Sequence, residues 1–214
     1  MPSSVIASPG PVDLALALAV DVSASVDFGE FGLMMGGYAA AFRDEALAAR
    51  LLSGPAGATA VAMLFWSGPG MRELAVPWRR LASVGDSAAL ADEIDAAPRM
   101  VPAGATALGD GLAAALALLE RCPYPASRRV VDVSGDGRAN AGLPVETARA
   151  AAELMRVTVN GLAVVNEEPD LVDYYREVVI VGPGAFVIPA QDYGAFAEAI
   201  LAKLLRETGG AAIA

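Results

Sequence analysis

The sequence predicts an α/β fold in which a doubly wound, mostly parallel sheet of about six strands carries helices on both faces. Short apolar runs alternate along the chain with longer helical stretches, an order typical of parallel sheets. The run 14–20 is apolar at every position, as expected of a central strand buried on both faces. At 214 residues, 55% of them hydrophobic, the chain is long enough for one such domain.

Five apolar runs have the length and composition of strands. Turn residues bound them, such as Gly68-Pro69-Gly70 after the second run and Gly135-Asp136-Gly137 after the third. The segment 72–76 can pair with the second run as an antiparallel edge. The five runs are 14–20, 59–66, 128–134, 157–165 and 185–188.

The stretches between these runs are predicted to be helical. The first contains four glycines and ends before the glycine-rich stretch 54–57, and Asp86 stands near the start of the second. Residues 1–11, rich in Ser, Pro and Gly, are expected to form a disordered leader and 208–214 a tail, which leaves one domain over 12–207. The predicted helices are 28–52, 86–96, 107–121, 145–155, 171–177 and 193–206.

Charge and hydropathy narrow the class of partner. The formal net charge of −10 argues against nucleic acid and against anionic membrane surfaces. It suits cations or a basic partner, and it equally serves to keep an apolar-rich chain in solution. No apolar run reaches the roughly 18 residues that cross a bilayer, so no membrane insertion is expected.

Two residue types common in active sites are scarce. The chain has no histidine, which excludes Ser-His-Asp and Cys-His catalysis and histidine-bound zinc or iron. Cys122 is the only cysteine, so neither an internal disulfide nor a cysteine zinc cluster can form. No histidine or lysine stands near Cys122 to activate its thiol, and we expect it to be incidental. The composition favours binding over catalysis.

Oxygen-bearing side chains follow or precede several predicted elements. Asp21, Ser23 and Ser25 come directly after the first strand. Thr106 precedes an apolar helix, and Asp136 follows the third apolar run. Ligands of open α/β sheets bind at the carboxyl ends of strands, near the point where strand order reverses. Two carboxylates and three hydroxyls suit a hard cation such as Mg²⁺.

This pattern resembles the metal-ion-dependent adhesion site of von Willebrand factor type A domains, which combines Asp-x-Ser-x-Ser, a separate threonine and a later Asp-Gly. The resemblance extends over roughly 12–207 and is closer still to a bacterial branch of that superfamily whose function is uncharacterised. The residues behind the closer resemblance are 18–23, 129–137, 160–163, 174–175, 182–186 and 203–207.

The resemblance implies a set of ligands and a function. Ser23, Ser25 and Thr106 would supply hydroxyl ligands, and Asp21 and Asp136 would act on the metal directly or through water. The ion would be Mg²⁺, Mn²⁺ or Ca²⁺. One coordination position would stay open for an Asp or Glu of a protein partner, so the expected function is metal-dependent protein binding without catalysis.

Three other interpretations stay open. In the plainest, Ser23 or Ser25 caps the helix that begins at Phe28, and Asp21 closes a turn. In the second, Asp21 is the nucleophile of a metal-dependent phosphohydrolase resembling haloacid dehalogenases, which need a second aspartate where Ser23 stands and a lysine near the phosphate. In the third, the domain is a scaffold with a degenerate metal site. Gly135 stands where the family commonly has threonine.

Some features stay undefined by the sequence. Asp132 lies inside a strand, where it is expected to pair with Arg128 or Arg129 or to face the rim. Of Tyr174 and Tyr175, one ring is expected in the core and one at the surface. The stretch 167–170 is expected to be solvated or to border the metal face.

The compartment, the partner and the oligomeric state are not defined either. The leader lacks the basic start and apolar core of a signal peptide. A signal peptide removed beforehand would place the domain in the periplasm or outside the cell, and otherwise it would be cytoplasmic.

Overall fold

A computed structural model of the protein describes residues 10–209. Its strands are β1 (Val12–Asp21), β2 (Thr59–Trp66), β3 (Arg72–Leu81), β4 (Ala126–Gly135), β5 (Thr158–Val164) and β6 (Val187–Ala190). They form a six-stranded sheet in the order β3-β2-β1-β4-β5-β6. Every neighbouring pair is parallel except β2 and β3, which are antiparallel. The predicted α/β fold is confirmed, and its antiparallel edge strand is longer than the sequence indicated.

Helices lie on both faces of this sheet. On one face α1, α2, α3 and α7 contact one another, and on the other α4 packs on α5. A π-helical turn, Tyr175–Val179, continues α6, and a 3-10 turn, Tyr193–Ala195, precedes α7. The helices are α1 (Phe28–Arg43), α2 (Glu45–Leu51), α3 (Val84–Asp95), α4 (Leu108–Glu120), α5 (Val145–Leu154), α6 (Leu171–Tyr174) and α7 (Phe196–Thr208).

The prediction of a single helix over 28–52 is wrong, because the helix is interrupted at Asp44. The backbone of Asp44 is extended, with ψ 129°, so the helical hydrogen-bond ladder cannot continue through it. Its carboxylate accepts a hydrogen bond from the Leu47 amide at 3.0 Å and caps α2. The glycines of α1 do not interrupt the helix. A Cβ on Gly37 would lie 2.9 Å from the Phe196 ring, so this glycine allows α7 to pack closely.

The central strand β1 contributes to two separate cores. Its larger side chains, at even positions from 14 to 20, join the core under α1, α3 and α7. Its alanines at 15, 17 and 19 join the core under α4 and α5. The small alanines let α4 approach the sheet, and Gly111 of α4 lies directly against the buried Trp66 indole. The run that looked uniformly apolar is therefore a strand covered on both faces, as predicted.

The expected pairing of Asp132 with Arg128 or Arg129 is wrong. Neither arginine forms an ion pair with it; Arg128 donates to the backbone carbonyl group of Glu207 and Arg129 to that of Met155. Asp132 is fully buried and pairs instead with Lys203 of α7, at 2.5 Å. A single sequence does not show this pairing because the partners lie far apart along the chain.

The ends of the chain fall largely outside this description. Most of the predicted leader and tail, residues 1–9 and 210–214, lie outside the described residues, so the domain boundaries stay predictions. Within residues 10–209, no helix is both long enough and apolar enough to cross a membrane.

Candidate metal site

The candidate site lies at the carboxyl ends of β1 and β4, in the middle of the sheet. β1 pairs with β2 on one side and with β4 on the other, so strand order reverses at β1. The connections leaving β1 and β4 therefore part to opposite faces and open a crevice, which is where ligands bind in such sheets. The turn after β1, the loop before α4 and the turn after β4 meet at this crevice.

The turn after β1 is shaped by its own polar side chains. Asp21 Oδ1 accepts a hydrogen bond from the Ser23 amide at 2.7 Å, which closes an Asx-type turn. The Ser23 and Ser25 hydroxyl oxygens are 3.2 Å apart. Neither serine caps α1, because Asp27 accepts from the Glu30 amide at 2.8 Å and Glu30 bonds back to the Asp27 amide. The prediction that Ser23 or Ser25 caps this helix is therefore wrong. The turn closed by Asp21, which belonged to the same interpretation, is present.

The five predicted site residues come together. The Thr106 hydroxyl donates to Ser23 Oγ at 3.4 Å, and the Ser25 hydroxyl donates to Asp136 Oδ1 at 2.8 Å. With the contacts of Asp21, these bonds join all three loops into one polar cluster. Four of the five residues are buried, and only Ser25 is exposed. The structure brings together side chains as far apart in sequence as Asp21 and Asp136. It therefore agrees with the predicted placement of these residues at one point, whereas their binding of a metal stays a prediction.

Several residues that sequence reasoning missed hold this cluster in place. Arg99 donates to the carbonyl groups of Val22 at 2.9 Å and Val26 at 2.7 Å, which fixes the turn after β1. Asn140 accepts from the Thr106 amide at 2.9 Å and thereby orients the second loop. Neither residue belongs to a motif, so a single sequence gives no signal for them.

Asp136 is fixed by a tyrosine from the last part of the chain. The Tyr193 hydroxyl donates to Asp136 Oδ2 at 2.9 Å. Burial and the negative charge of Asp136 raise the pKa of Tyr193 well above its usual value, so the phenol stays a donor. Because Tyr193 immediately precedes α7, it links the third loop of the site to the terminal helix.

The electrostatics of the cluster favour a cation. Burial, and then the nearby Asp136, raise the pKa of Asp21 to about 7, although the Ser23 hydrogen bonds and Arg99 act in the opposite direction. Asp21 Oδ2 is buried and accepts no hydrogen bond from the described residues. A buried carboxylate oxygen without a donor is costly, and a bound cation would remove that cost. The residues therefore fit a divalent ion.

A second unpaired polar atom points at the same place. Tyr175 is fully buried, and its hydroxyl has no hydrogen-bond partner among the described residues. A Cβ on Gly135 would lie 2.8 Å from that hydroxyl and 3.0 Å from Asp21 Oδ2. The Tyr175 ring also covers Gly161 on the neighbouring strand, where a Cβ would lie 2.6 Å from the ring. The glycine that departs from the family pattern thus makes room for the Tyr175 hydroxyl.

The expectation for the tyrosine pair is confirmed, since Tyr175 is in the core and Tyr174 is half-buried at the surface.

The acidic stretch 167–170 borders the third loop. Glu168 accepts from the Arg138 amide at 3.3 Å and pairs with the Arg138 guanidinium at 3.0 Å.

The donor set is rich in hydroxyl groups. In the described part of the chain, no group of three or more His, Cys, Asp or Glu side chains gathers as a metal cluster would. The cluster offers two carboxylates and three hydroxyls, a set that suits Mg²⁺ or another hard cation more than a soft metal. The lysine that a phosphohydrolase needs is absent from the site, because Lys203 is buried against Asp132 and Glu207.

Large apolar side chains surround the entrance to the site. Phe28, directly after the first loop, is 80% exposed, and Met100, a few residues before the second loop, is 68% exposed. The Arg99 guanidinium lies 5.4 Å from the centre of the Phe28 ring. Met71, 42% exposed, reaches the second loop from the other side, with its sulfur against Gly104. An exposed apolar rim around a polar centre is typical of a surface that another protein covers.

Comparison with known structures identifies the fold as that of a von Willebrand factor type A domain. A von Willebrand factor type A protein from Catenulispora acidiphila superposes with a TM-score of 0.63 at 19% identity, over 93% of this chain and 43% of that one. The vWF domain of the type V pili tip protein Mfa5 from Porphyromonas gingivalis gives 0.61 at 9% identity, over 95% and 99%.

Proximal thread matrix protein 1 from the mussel byssus, solved with a zinc-occupied MIDAS motif, gives a TM-score of 0.61 at 18% identity, over 92% of this chain and 46% of that one. This chain therefore spans less than half the length of two of these three structures.

The family itself is defined by sequence. Residues 11–212 match the family described as protein of unknown function (DUF1194), and the chain belongs to it. No curated protein matches the sequence.

Proposed function

We propose that this domain binds a protein partner through a divalent cation, and that the partner supplies an Asp or Glu carboxylate to the metal. Ser23, Ser25 and Thr106 would ligate the ion through their hydroxyl oxygens. Asp21 and Asp136 would balance its charge, directly or through water. The buried Asp21 Oδ2, which has no donor among the described residues, carries this proposal.

The Tyr175 hydroxyl belongs to the proposed site. In the family pattern a threonine commonly precedes the Asp-Gly and gives the aspartate a hydroxyl neighbour. Here Gly135 has no side chain, and the Tyr175 hydroxyl reaches its Cβ position from the π-helical turn. We propose that this phenol donates to a metal-bound water or to Asp21 Oδ2 once the ion is bound.

The rim supports binding to a protein over binding to a small molecule. Phe28 and Met100 expose most of their side chains beside the site, and Val101 and Pro102 line a shallow pocket of about 380 Å³ next to them. Covering such a surface with an apolar partner surface stabilises the complex, and a central charged contact then supplies specificity. Of the three solved relatives described above, one is a pilus tip domain and one a byssal thread matrix protein.

A metal-dependent phosphohydrolase is the weaker candidate. Asp21 would have to attack phosphate, yet its Oδ1 is engaged by the Ser23 amide and no lysine lies at the site. Ser23 stands where such enzymes need their second aspartate. A phosphate ester turned over at a measurable rate, and no longer turned over by Asp21→Asn, would favour this candidate.

A metal titration tests the leading proposal. Mg²⁺, Mn²⁺ or Ca²⁺ bound to the native state must raise the melting temperature, and calorimetry gives the affinity. Thr106→Ala should weaken binding at least tenfold while preserving the fold. Thr147→Ala, on the exposed surface of α5, is the matched control and should bind as the wild type does. If none of the three ions binds at millimolar concentration, the adhesion-type proposal fails and the scaffold interpretation stands.

A further inference from the structure

A large cavity lies at the opposite edge of the sheet from the candidate metal site. It occupies about 1310 Å³ where β4 and β5 begin, and the ends of α5 and α7 and the turn 182–186 complete its walls. β4 runs from this cavity to the metal site, and a strand of that length spans roughly 30 Å. The two sites are therefore separate.

Arginines line this cavity. Six of the fifteen Lys and Arg residues of the chain lie here, although the chain as a whole has a net charge of −10. Only Glu153 and Glu207 among the lining residues are acidic, and Glu207 turns inward to Lys203 at 2.7 Å. The six are Arg128, Arg129, Arg149, Arg156, Arg176 and Arg206.

Most of these charges have no carboxylate partner. Among the described residues only Arg176 forms an ion pair within 4 Å, with Asp173 at 2.9 Å. Arg128, Arg129 and Arg149 hydrogen bond to backbone carbonyl groups instead. A carbonyl satisfies hydrogen bonds but cancels no charge, so the cavity keeps a positive potential in an otherwise acidic molecule.

Helix capping explains why three of the six arginines lie at this cavity. The carbonyl groups that Arg128, Arg129 and Arg149 contact belong to ends of helical segments, where a cation is favourable. It does not account for Arg156 and Arg206, which make no such bond among the described residues and are exposed. The Arg206 guanidinium carbon lies over the Phe186 ring, 3.9 Å from its centre, and this contact holds the charge of Arg206 at the cavity.

We propose that this cavity binds an acidic, extended segment of polypeptide, a second site that does not depend on the metal. The three capping guanidiniums are anchored at three different helical ends and so do not converge on one point. Ile180, Pro183 and Ala185, which are exposed or partly exposed, lie among them in the wall. Carboxylates spaced along a chain with apolar groups between them match this arrangement, whereas a compact phosphate needs convergent donors.

The test uses fluorescein-labelled deca-glutamate, with deca-glutamine as the uncharged control. The protein should raise the anisotropy of the first peptide at 50 mM NaCl and not of the second. Raising NaCl to 300 mM should weaken binding at least fivefold, because the attraction is between charges. Adding EDTA should leave the affinity unchanged, which separates this result from any failure of the metal proposal.

Two exposed arginines supply the variants. Arg206→Gln and Arg156→Asn should each weaken deca-glutamate binding about three- to tenfold, and asparagine suits the left-handed backbone of residue 156, at φ 55°. Arg121→Gln, an exposed arginine outside the cavity, should have no effect. The proposal is overturned if deca-glutamate does not bind, if the variants bind it as well as the wild type does, or if tripolyphosphate displaces it at much lower concentration than glutamate peptides do.

Discussion

Lys203 of α7 and Asp132 of β4 form an ion pair of 2.5 Å in the interior of the protein, and both side chains are fully buried. Lys203 also contacts Glu207 at 2.7 Å, and Glu207 accepts from Asn160 of β5 at 3.0 Å. The only lysine of the chain thus joins the terminal helix to two strands of the sheet. Because Ser134 lies 3.5 Å from Asp132 on the way to the turn after β4, the network ends next to the candidate metal site.

Removal of Lys203 should strongly destabilise the fold. Lys203→Met leaves Asp132 and Glu207 buried without a counter-charge, and breaking a buried pair in this way typically costs about 3–5 kcal/mol. Urea unfolding of the variant measures the loss. The triple variant Lys203→Met, Asp132→Asn, Glu207→Gln should recover much of it, since no uncompensated charge remains. A loss below about 1 kcal/mol in the single variant would contradict a structural role for the pair.

Glu207 should make stability depend on pH. Burial, and then the negative charge of Asp132, raise the pKa of Glu207 to about 7 despite the opposing effect of Lys203. The folded state therefore keeps a proton that the unfolded chain releases near pH 4.5, and the free energy of unfolding falls as the pH rises from 4.5 to 7. The other groups around Glu207 are Asn160, Tyr38 and Arg128, whose guanidinium contacts its carbonyl.

Glu207→Gln isolates this effect. In the metal-free protein the raised pKa of Asp21 also makes the free energy of unfolding fall with rising pH, but it does so equally in the wild type and in the variant. The difference between the two unfolding free energies should change by about 1–3 kcal/mol between pH 4.5 and 8, in favour of the variant at high pH. Chemical unfolding at each pH, with EDTA present, gives this difference. A constant difference would mean that Glu207 titrates normally.

Gly135 should tolerate no side chain. In Gly135→Thr the new Cβ would lie within 3.0 Å of both the Tyr175 hydroxyl and Asp21 Oδ2, and overpacking of this kind costs about 1–3 kcal/mol. Gly137→Ala is the matched control, because its Cβ would meet nothing closer than a Glu168 oxygen at 3.6 Å. Adding Tyr175→Phe to Gly135→Thr should restore part of the stability. Thermal unfolding of the variants gives the comparison, and equal stability of the two glycine variants would show that Tyr175 does not occupy this space.

Periodicity and composition were enough to predict the sheet and most of its helices, because buried strands and helices of an α/β domain differ in length and apolar pattern. They missed the break at Asp44, where a local side-chain cap overrides helix propensity. The three loops of the candidate site could be located because each lies beside a strand or helix end, and the five candidate ligands within them were named from the resemblance to the adhesion site of von Willebrand factor type A domains. Tyr175, Tyr193 and Arg99 could not, since their roles depend on how distant segments pack, and such contacts leave no pattern in one sequence.

The open coordination position of the proposed site can be tested with Mn²⁺. If the bound ion keeps an exchangeable water, the protein–Mn²⁺ complex should enhance the relaxation rate of solvent protons above that of free Mn²⁺. A carboxylate that takes the open position displaces this water, so acetate or a short peptide containing aspartate should reduce the enhancement. The matching asparagine peptide should not.

The variants sharpen this measurement. Thr106→Ala should lose the enhancement because the variant is expected to bind Mn²⁺ weakly. Phe28→Ser should keep it, since the Phe28 side chain is 80% exposed and has no atom that can ligate a metal. Tyr175→Phe should bind Mn²⁺ but show a different water exchange rate, because in the proposed site the phenol donates to a metal-bound water. An enhancement that no carboxylate reduces would contradict recognition through an open metal position, even if the metal itself binds.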